Sequence, residues 1–289
     1  MNHSPALPLF QNHPRNFQAN RYVYPVLSRR AGGISIGVNL NPDKVCNFHC
    51  VYCQVDRTIP GVKGPIEPAR LAGELDQMIE LVVSGEIFAT QFRDAPPALR
   101  RLNDIALSGD GEPTTSAWFG EAVGICAEAR RRHRLDDVKL VLISNASMFH
   151  CDGVQQALSV LDANNGEIWA KLDAGSEDYY RQIAASNVPW QRVLDNLLAA
   201  ARVRPIVIQS LFLRVHGQPP SAREIEAYCQ RLRAITAAGG RIKLVQIHTI
   251  ARRPAEDWAA ALADEEVDSL AALVRNRTGL PVAAFHGSG

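Results

Sequence analysis

The chain's 289 residues are 46% hydrophobic and 21% charged, the composition of a soluble globular protein with room for one large α/β domain or two ordinary ones. A net charge of +1 gives no global pull toward nucleic acid or a membrane surface. No run approaches the ~18 apolar residues of a spanning helix, so no membrane partner is expected.

Met1–Arg15 is polar and lacks the apolar stretch of a secretory signal, so a cytoplasmic, reducing location is expected. Residues 1–30 read as an irregular lead-in with an aromatic anchor, Tyr22-Val-Tyr24. Residues 31–289 read as one barrel domain with a C-terminal helical extension. Ile34–Leu40 alternates as a strand, ended by Pro42. Just beyond it, Cys46, Cys50 and Cys53 form a C-x3-C-x2-C triplet. Gly61–Pro68 reads as a connector, and Ala69–Val83 as a helix on its stripe of Leu71, Leu75, Met78, Ile79 and Val82. Ser84–Arg101 reads as a loop.

A regular rhythm follows. Strands are expected at Asp104–Ser108, Val138–Ser144, Glu167–Leu172, Pro205–Leu213 and Arg241–Ile250, with a short last one at Val282–Phe285. Helices are expected at Trp118–Arg132, Val154–Leu161, Ser176–Ile183, Trp190–Arg202, Ser221–Ala237 and, for the most part, Ala255–Thr278. Near-continuous apolar strands alternating with helices predict a parallel sheet covered by helices. Right-handed crossovers carry the strand C-termini to one edge. The residues there are polar: Asn41, Ser108–Glu112, Ser144–Asn145, Lys171–Asp173, Arg214 and His248. Independent elements thus point to one site.

Three thiolates on a short loop suit a soft metal or an iron–sulfur cluster. Structural zinc wants a fourth Cys or His at suitable spacing, whereas Cys126, Cys151 and Cys229 are isolated. A cubane held by three protein thiolates leaves one iron for an outside ligand. His49 lies between the cysteines and reads as a loop histidine. Cys126 falls on an apolar helical stripe and reads as core.

The run Cys46-Asn-Phe-His-Cys50-Val-Tyr-Cys53 after a first strand resembles the radical S-adenosylmethionine (SAM) superfamily. The resemblance implies a partial (β/α)6 barrel, parallel strands inside and helices outside. It also implies a [4Fe–4S] cluster on Cys46, Cys50 and Cys53, whose unique iron chelates SAM, with Tyr52 beside the adenine. The reaction implied is reductive cleavage of SAM to a 5′-deoxyadenosyl radical, which takes hydrogen from a substrate. An electron donor such as flavodoxin or ferredoxin is the implied partner. Read alone, Ser108-Gly109-Asp110-Gly111-Glu112-Pro113-Thr114 is a strand-to-helix turn. In the resembled family it stands where a Gly-Gly-Glu motif meets the amino group of SAM, with Asp110 as an insertion. Ser144-Asn145, Lys171 and Asp173 either cap helices or, as the resemblance implies, bind ribose hydroxyls and the methionyl carboxylate. Gln209 or Ser210 and His248 are candidates near adenine. Arg214 is a candidate clamp for substrate or carboxylate.

The strings NLNPDKVCNFHCVYCQVDR, LSGDGEPT, KLDAGSEDYYRQI and LVQIHTIARRPAE resemble the narrower wyosine-synthase-like group over about residues 33–255. That group's namesake modifies a tRNA with a second cluster built on cysteines ahead of the triplet. No cysteine precedes Cys46 here, so such a cluster is not expected. Small-molecule, RNA and protein substrates stay open. The alternatives are a wyosine-type tRNA-modifying enzyme and a non-catalytic zinc or iron–sulfur protein associated with RNA. The arginines of Arg130–Arg134, which end a helix, read as a solvated face.

Overall fold

The computed structural model describes residues 17–287, and these divide into two compact units. The first unit takes the described residues up to Cys46, with Arg57–Ile143 and His150–Glu167. The second takes Asn47–Asp56, Ser144–Phe149 and the described residues from Ile168 on. Each unit is assembled from interleaved segments, which is why no linker composition marks a boundary.

In the first unit, β1 (Val23–Ser28) pairs antiparallel with β2 (Gly33–Val38). Strand β2 runs parallel to β3 (Leu102–Leu107), and β3 to β4 (Lys139–Ser144). Helices α1 (Pro68–Val83), α2 (Phe119–Arg132) and α3 (Asp152–Asp162) complete it. Proline opens α1, where its missing N–H is no loss. Below it the stripe of Leu71, Leu75, Met78, Ile79 and Val82 is buried as the spacing predicts. Full burial of such side chains stabilises by about 1.5–3 kcal/mol each.

Strand β1 corrects the sequence reading, which left residues 1–30 irregular; the part before residue 17 lies outside the described residues. Pro25 blurs the strand pattern, yet pairing with Ile36 across an edge tolerates it. A buried carboxylate secures the approach. Glu74 on α1 accepts from the backbone N–H groups of Arg21, Tyr22 and Val23 at 2.8, 2.8 and 3.2 Å. The Arg130–Arg134 run is corrected in part. Arg130 is buried, and its guanidinium donates to the carbonyls of Asp136 and Val138, tying the end of α2 to the approach of β4. Arg132 pairs with Asp76 at 2.6 Å.

The second unit carries β5 (Gly166–Lys171), β6 (Ile206–Leu211), β7 (Leu213–Val215), β8 (Ile242–His248), β9 (Ala259–Ala261) and β10 (Val282–Phe285). Strands β5, β6, β8 and β10 are parallel neighbours in that order, and β7 pairs antiparallel with β9. Its helices are α4 (Glu177–Ala184), α5 (Trp190–Val203), α6 (Ala222–Ala237) and α7 (Asp264–Thr278). Strand β6 is buried throughout, and its polar members are satisfied. Gln209 donates to Gln246 at 3.1 Å, and Ser210 bonds the Leu172 carbonyl and the Tyr228 hydroxyl.

Two expectations change here. The single strand Pro205–Leu213 breaks at Phe212 into β6 and β7. Helix in the C-terminal extension begins only at Asp264, because Ala259–Ala261 pairs with Leu213–Val215. Alanine-rich sequence favours helix only weakly, and a tertiary partner overrides it. Among the described residues no helix is long and apolar enough to cross a membrane.

Candidate functional site

The first unit positions the Ser108–Glu112 turn at the end of β3. Asn39, one residue past β2, clasps it. The Asn39 carboxamide donates to Asp110 Oδ2 at 2.7 Å and accepts from the Asp110 N–H at 3.1 Å. It also accepts from the Asn41 N–H at 3.0 Å. Asp110, the inserted residue, is therefore the gripped one. Both glycines are demanded by close approach. A Cβ on Gly109 would lie 2.3 Å from Asn39 Oδ1, and one on Gly111 2.2 Å from the Val45 carbonyl. The glycine turn thus abuts the residue before Cys46. The buried Glu112 accepts from the Thr114 N–H and hydroxyl at 3.1 and 2.6 Å, capping the short 3-10 turn Pro113–Thr115.

In the second unit the Asn47–Asp56 segment is held at nearly every residue. Helix α4 ends with carbonyls that lack intrahelical partners. The His49 N–H donates to the Ala184 carbonyl at 3.1 Å, and the Val51 N–H to that of Ile183 at 3.0 Å. The Val51 carbonyl accepts from the Glu256 N–H at 3.1 Å. Phe48 packs edge-on against Tyr180, with ring centroids 5.8 Å apart, and Tyr180 lies on Trp190. Gln54 and Arg252 join through 2.8 Å. The Cys53 N–H closes the C-x2-C turn on the Cys50 carbonyl at 2.9 Å. His49 is exposed, its main chain engaged at α4.

Two side chains of this segment reach strand ends. Asn47 Nδ2 donates to Ser147 Oγ at 2.7 Å, and Asn47 Oδ1 accepts from Asn145 Nδ2 at 2.9 Å. The Asn145 Oδ1 atom in turn accepts from the Ser147 N–H at 3.0 Å. The Tyr52 hydroxyl donates to Asp173 Oδ2, while Asp173 Oδ1 accepts from the Leu211 N–H at 2.7 Å. Lys171, the last residue of β5, places its ammonium 5.2 Å from the centre of the Tyr52 ring. Burial pushes the Cys50 thiol up to about 12, and the Lys171 charge opposes that. Burial likewise raises Asp173, against Lys171, the Tyr52 hydroxyl and the Leu211 N–H.

The other expected residues divide. Ser144 receives the Ala146 N–H at 3.0 Å in the turn beside Asn145. His248 ends β8, level with Leu211 on β6 and Phe285 on β10. Arg214 is on β7, where it pairs with Glu266 of α7 at 2.6 Å and donates to the Gly217 carbonyl at 3.0 Å. It is engaged as a structural cation.

Several residues escaped the sequence reading. Asn196 sits among the buried positions of α5 and donates to the Ala146 and Ser147 carbonyls at 2.7 and 3.1 Å. It steadies Ala146, whose φ of 62° is unusual for a residue with a side chain. A polar residue on an apolar stripe was the readable signal. Glu224 stands three residues after the N-cap Ser221, the spacing of a capping box. Its carboxylate instead grips the N–H groups of Gly175 and Ser176 beyond Asp173, at 2.5 and 3.3 Å. Nothing in the local sequence shows that. Asn39 fell inside the expected strand Ile34–Leu40, and Asn47 looked like an ordinary loop residue.

A donor set of three thiolates suits an iron–sulfur cluster. Cys46, Cys50 and Cys53 are all half-buried and outside any disulfide, and no fourth cysteine lies between them. Among the described residues no three His, Cys, Asp or Glu side chains gather as around one metal ion. A cubane takes its thiolates at separate irons.

No protein-family model matches the chain. It is 27% identical over 249 residues to a UPF0026 protein of Helicobacter pylori, covering 84% of this chain and 70% of that one. Archaeal TYW1 superposes with a TM-score of 0.53 at 14% identity, over 90% of this chain and 85% of that one. A Cys-to-Ser mutant of spore photoproduct lyase does so with a TM-score of 0.57 at 10% identity, over 95% and 81%. The fold shared with these structures agrees with the expected α/β class of parallel strands covered by helices.

Proposed function

We propose that this chain is a radical SAM enzyme whose Cys46, Cys50 and Cys53 hold one [4Fe–4S] cluster. The observation that carries the reading is the C-x3-C-x2-C segment itself, with the His49 and Val51 amides bonded to the end of α4 and its three cysteines outside any disulfide. When bound, the reduced cluster supplies the electron that cleaves SAM to methionine and a 5′-deoxyadenosyl radical. The chain's own residues bind and orient. The Gly109–Glu112 turn, whose glycines are required by its packing on Asn39, Asn41 and Val45, is assigned to the SAM ammonium through its backbone carbonyls. Lys171 suits a carboxylate, and its charge beside Cys50 eases loss of the thiol proton. Ser144 and His248 are assigned to SAM with less specific roles. The hydrogen acceptor comes from SAM, so the chain need supply no base.

Anaerobic reconstitution tests this reading. About four irons per chain and release of 5′-deoxyadenosine under a strong reductant are expected. Failure of both in the parent chain sinks the proposal, and tightly held zinc without cluster absorption favours a non-catalytic metal protein. Cys50→Ala should lose cluster and product together.

A further inference from the structure

Asn145 and Asp173 are expected from sequence to touch SAM, yet their side-chain hydrogen bonds run elsewhere. One end of the Asn145 amide is given to Asn47 and the other to the Ser147 N–H, at 2.9 and 3.0 Å. The two oxygens of Asp173 accept from the Tyr52 hydroxyl and the Leu211 N–H. Asn47 follows Cys46, and Tyr52 precedes Cys53. The two strand-end residues therefore grip the cysteine segment near its two ends. Each grip is backed from behind. Asn196, 4% exposed, holds the Ala146–Ser147 carbonyls, and Glu224, 7% exposed, holds the Gly175–Ser176 amides. Both backing side chains come from helices that carry no candidate ligand.

We propose that Asn145 and Asp173 are positioning residues, which hold the cysteine segment in its cluster-binding form through Asn47 and Tyr52 and do not serve as ligands of SAM. The inference rests on the radical SAM reading for its purpose, while the hydrogen bonds that carry it lie within the chain itself. Preforming the segment removes ordering entropy that cluster assembly would otherwise have to overcome.

The test has two arms. The first follows amide hydrogen exchange across residues 46–53 of the full-length, metal-free chain. In Asn145→Ala, Asp173→Ala and the milder Tyr52→Phe, exchange at His49 and Val51 should rise about tenfold, with α1 unchanged, since each loses a hydrogen bond worth a factor of that order. Unchanged exchange in all three overturns the proposal, whether or not any cluster assembles. The second arm uses reconstituted protein and SAM. Asp173→Asn can still accept the Leu211 N–H and meet the Tyr52 hydroxyl. It should keep the parent's electron paramagnetic resonance signal and bind SAM within about threefold of the parent, while Asp173→Ala retains less iron. An unaltered cluster signal in Asp173→Asn with SAM binding weakened about tenfold or more makes Asp173 a ligand and overturns the proposal.

Discussion

Two turns of this molecule carry candidate chemistry, and they differ in how far steric contact holds them. The Gly109–Glu112 turn of the first unit is held by shape beside its Asn39–Asp110 hydrogen bonds: its glycines lie where a methyl group would meet Asn39, Asn41 or Val45. The Asn47–Cys53 segment of the second unit is held by polar side chains and by the orphan carbonyls of α4. A turn fixed by steric contact tolerates no added atom, whereas a segment fixed by hydrogen bonds tolerates additions but no lost partner. The contrast predicts which kind of substitution damages each.

The largest effect is expected at Gly111. Its Cβ would lie 2.2 Å from the Val45 carbonyl and 2.7 Å from Asn41, mostly against groups that cannot swing aside. Gly111→Ala should cost about 3 kcal/mol in urea unfolding, the upper range for overpacking. A cost below about 0.5 kcal/mol would show that shape does not hold this turn. Next comes Asn196, whose deletion adds no atom. Asn196→Ala strips two buried carbonyls of a partner and should cost about 2 kcal/mol by the same measurement. A neutral result there removes the polar account of the second unit.

The smallest effect probes polar design in the first unit, far from its glycine turn. Asp104, near the start of β3, is buried, accepts from Ser35, and lies in electrostatic range of Lys139 and Glu167. Burial raises its carboxyl from 3.8 to about 6, with Ser35 the leading opposing influence. A carboxyl raised on folding favours the folded state below its unfolded pKa and loses that contribution as pH climbs through the folded one. Stability should therefore fall from about pH 4 to about pH 6 on this account. Asp104→Asn should flatten that fall and gain on the order of 1 kcal/mol at pH 7, read from urea midpoints across that range. An unchanged profile would place Asp104 in a more solvated setting than its burial indicates.

Much of the scaffold was legible in one dimension because it rests on local periodicity. The stripe of α1, the apolar strands β4 and β6, and the polar residues closing β3, β4, β5 and β8 follow from spacing alone. Strand β1 was not legible, since Tyr24 and Pro25 carry no clear period and pairing with β2 makes the strand. Ala259–Ala261 went wrong for the mirror reason: its local preference is helical, and Leu213–Val215 overrules it. Arg214 read as a clamp because it ends an apolar run, yet Glu266, 52 residues away, engages it.

By itself the sequence determined the donor set and its order. Three thiols at C-x3-C-x2-C, two glycines flanking Asp110 and a cation closing β5 are covalent facts that no packing rearranges. Only the tertiary structure decided what the neighbouring polar side chains are for. Asn145 and Asp173 stand in the right places for ligands, but a carboxamide or carboxylate has few hydrogen-bonding sites, and Asn47, Ser147, Tyr52 and Leu211 reach them from 38 to 121 residues away in Asp173's case and from 2 to 98 in Asn145's. Such long-range competition for a limited number of lone pairs and protons leaves no trace in local spacing.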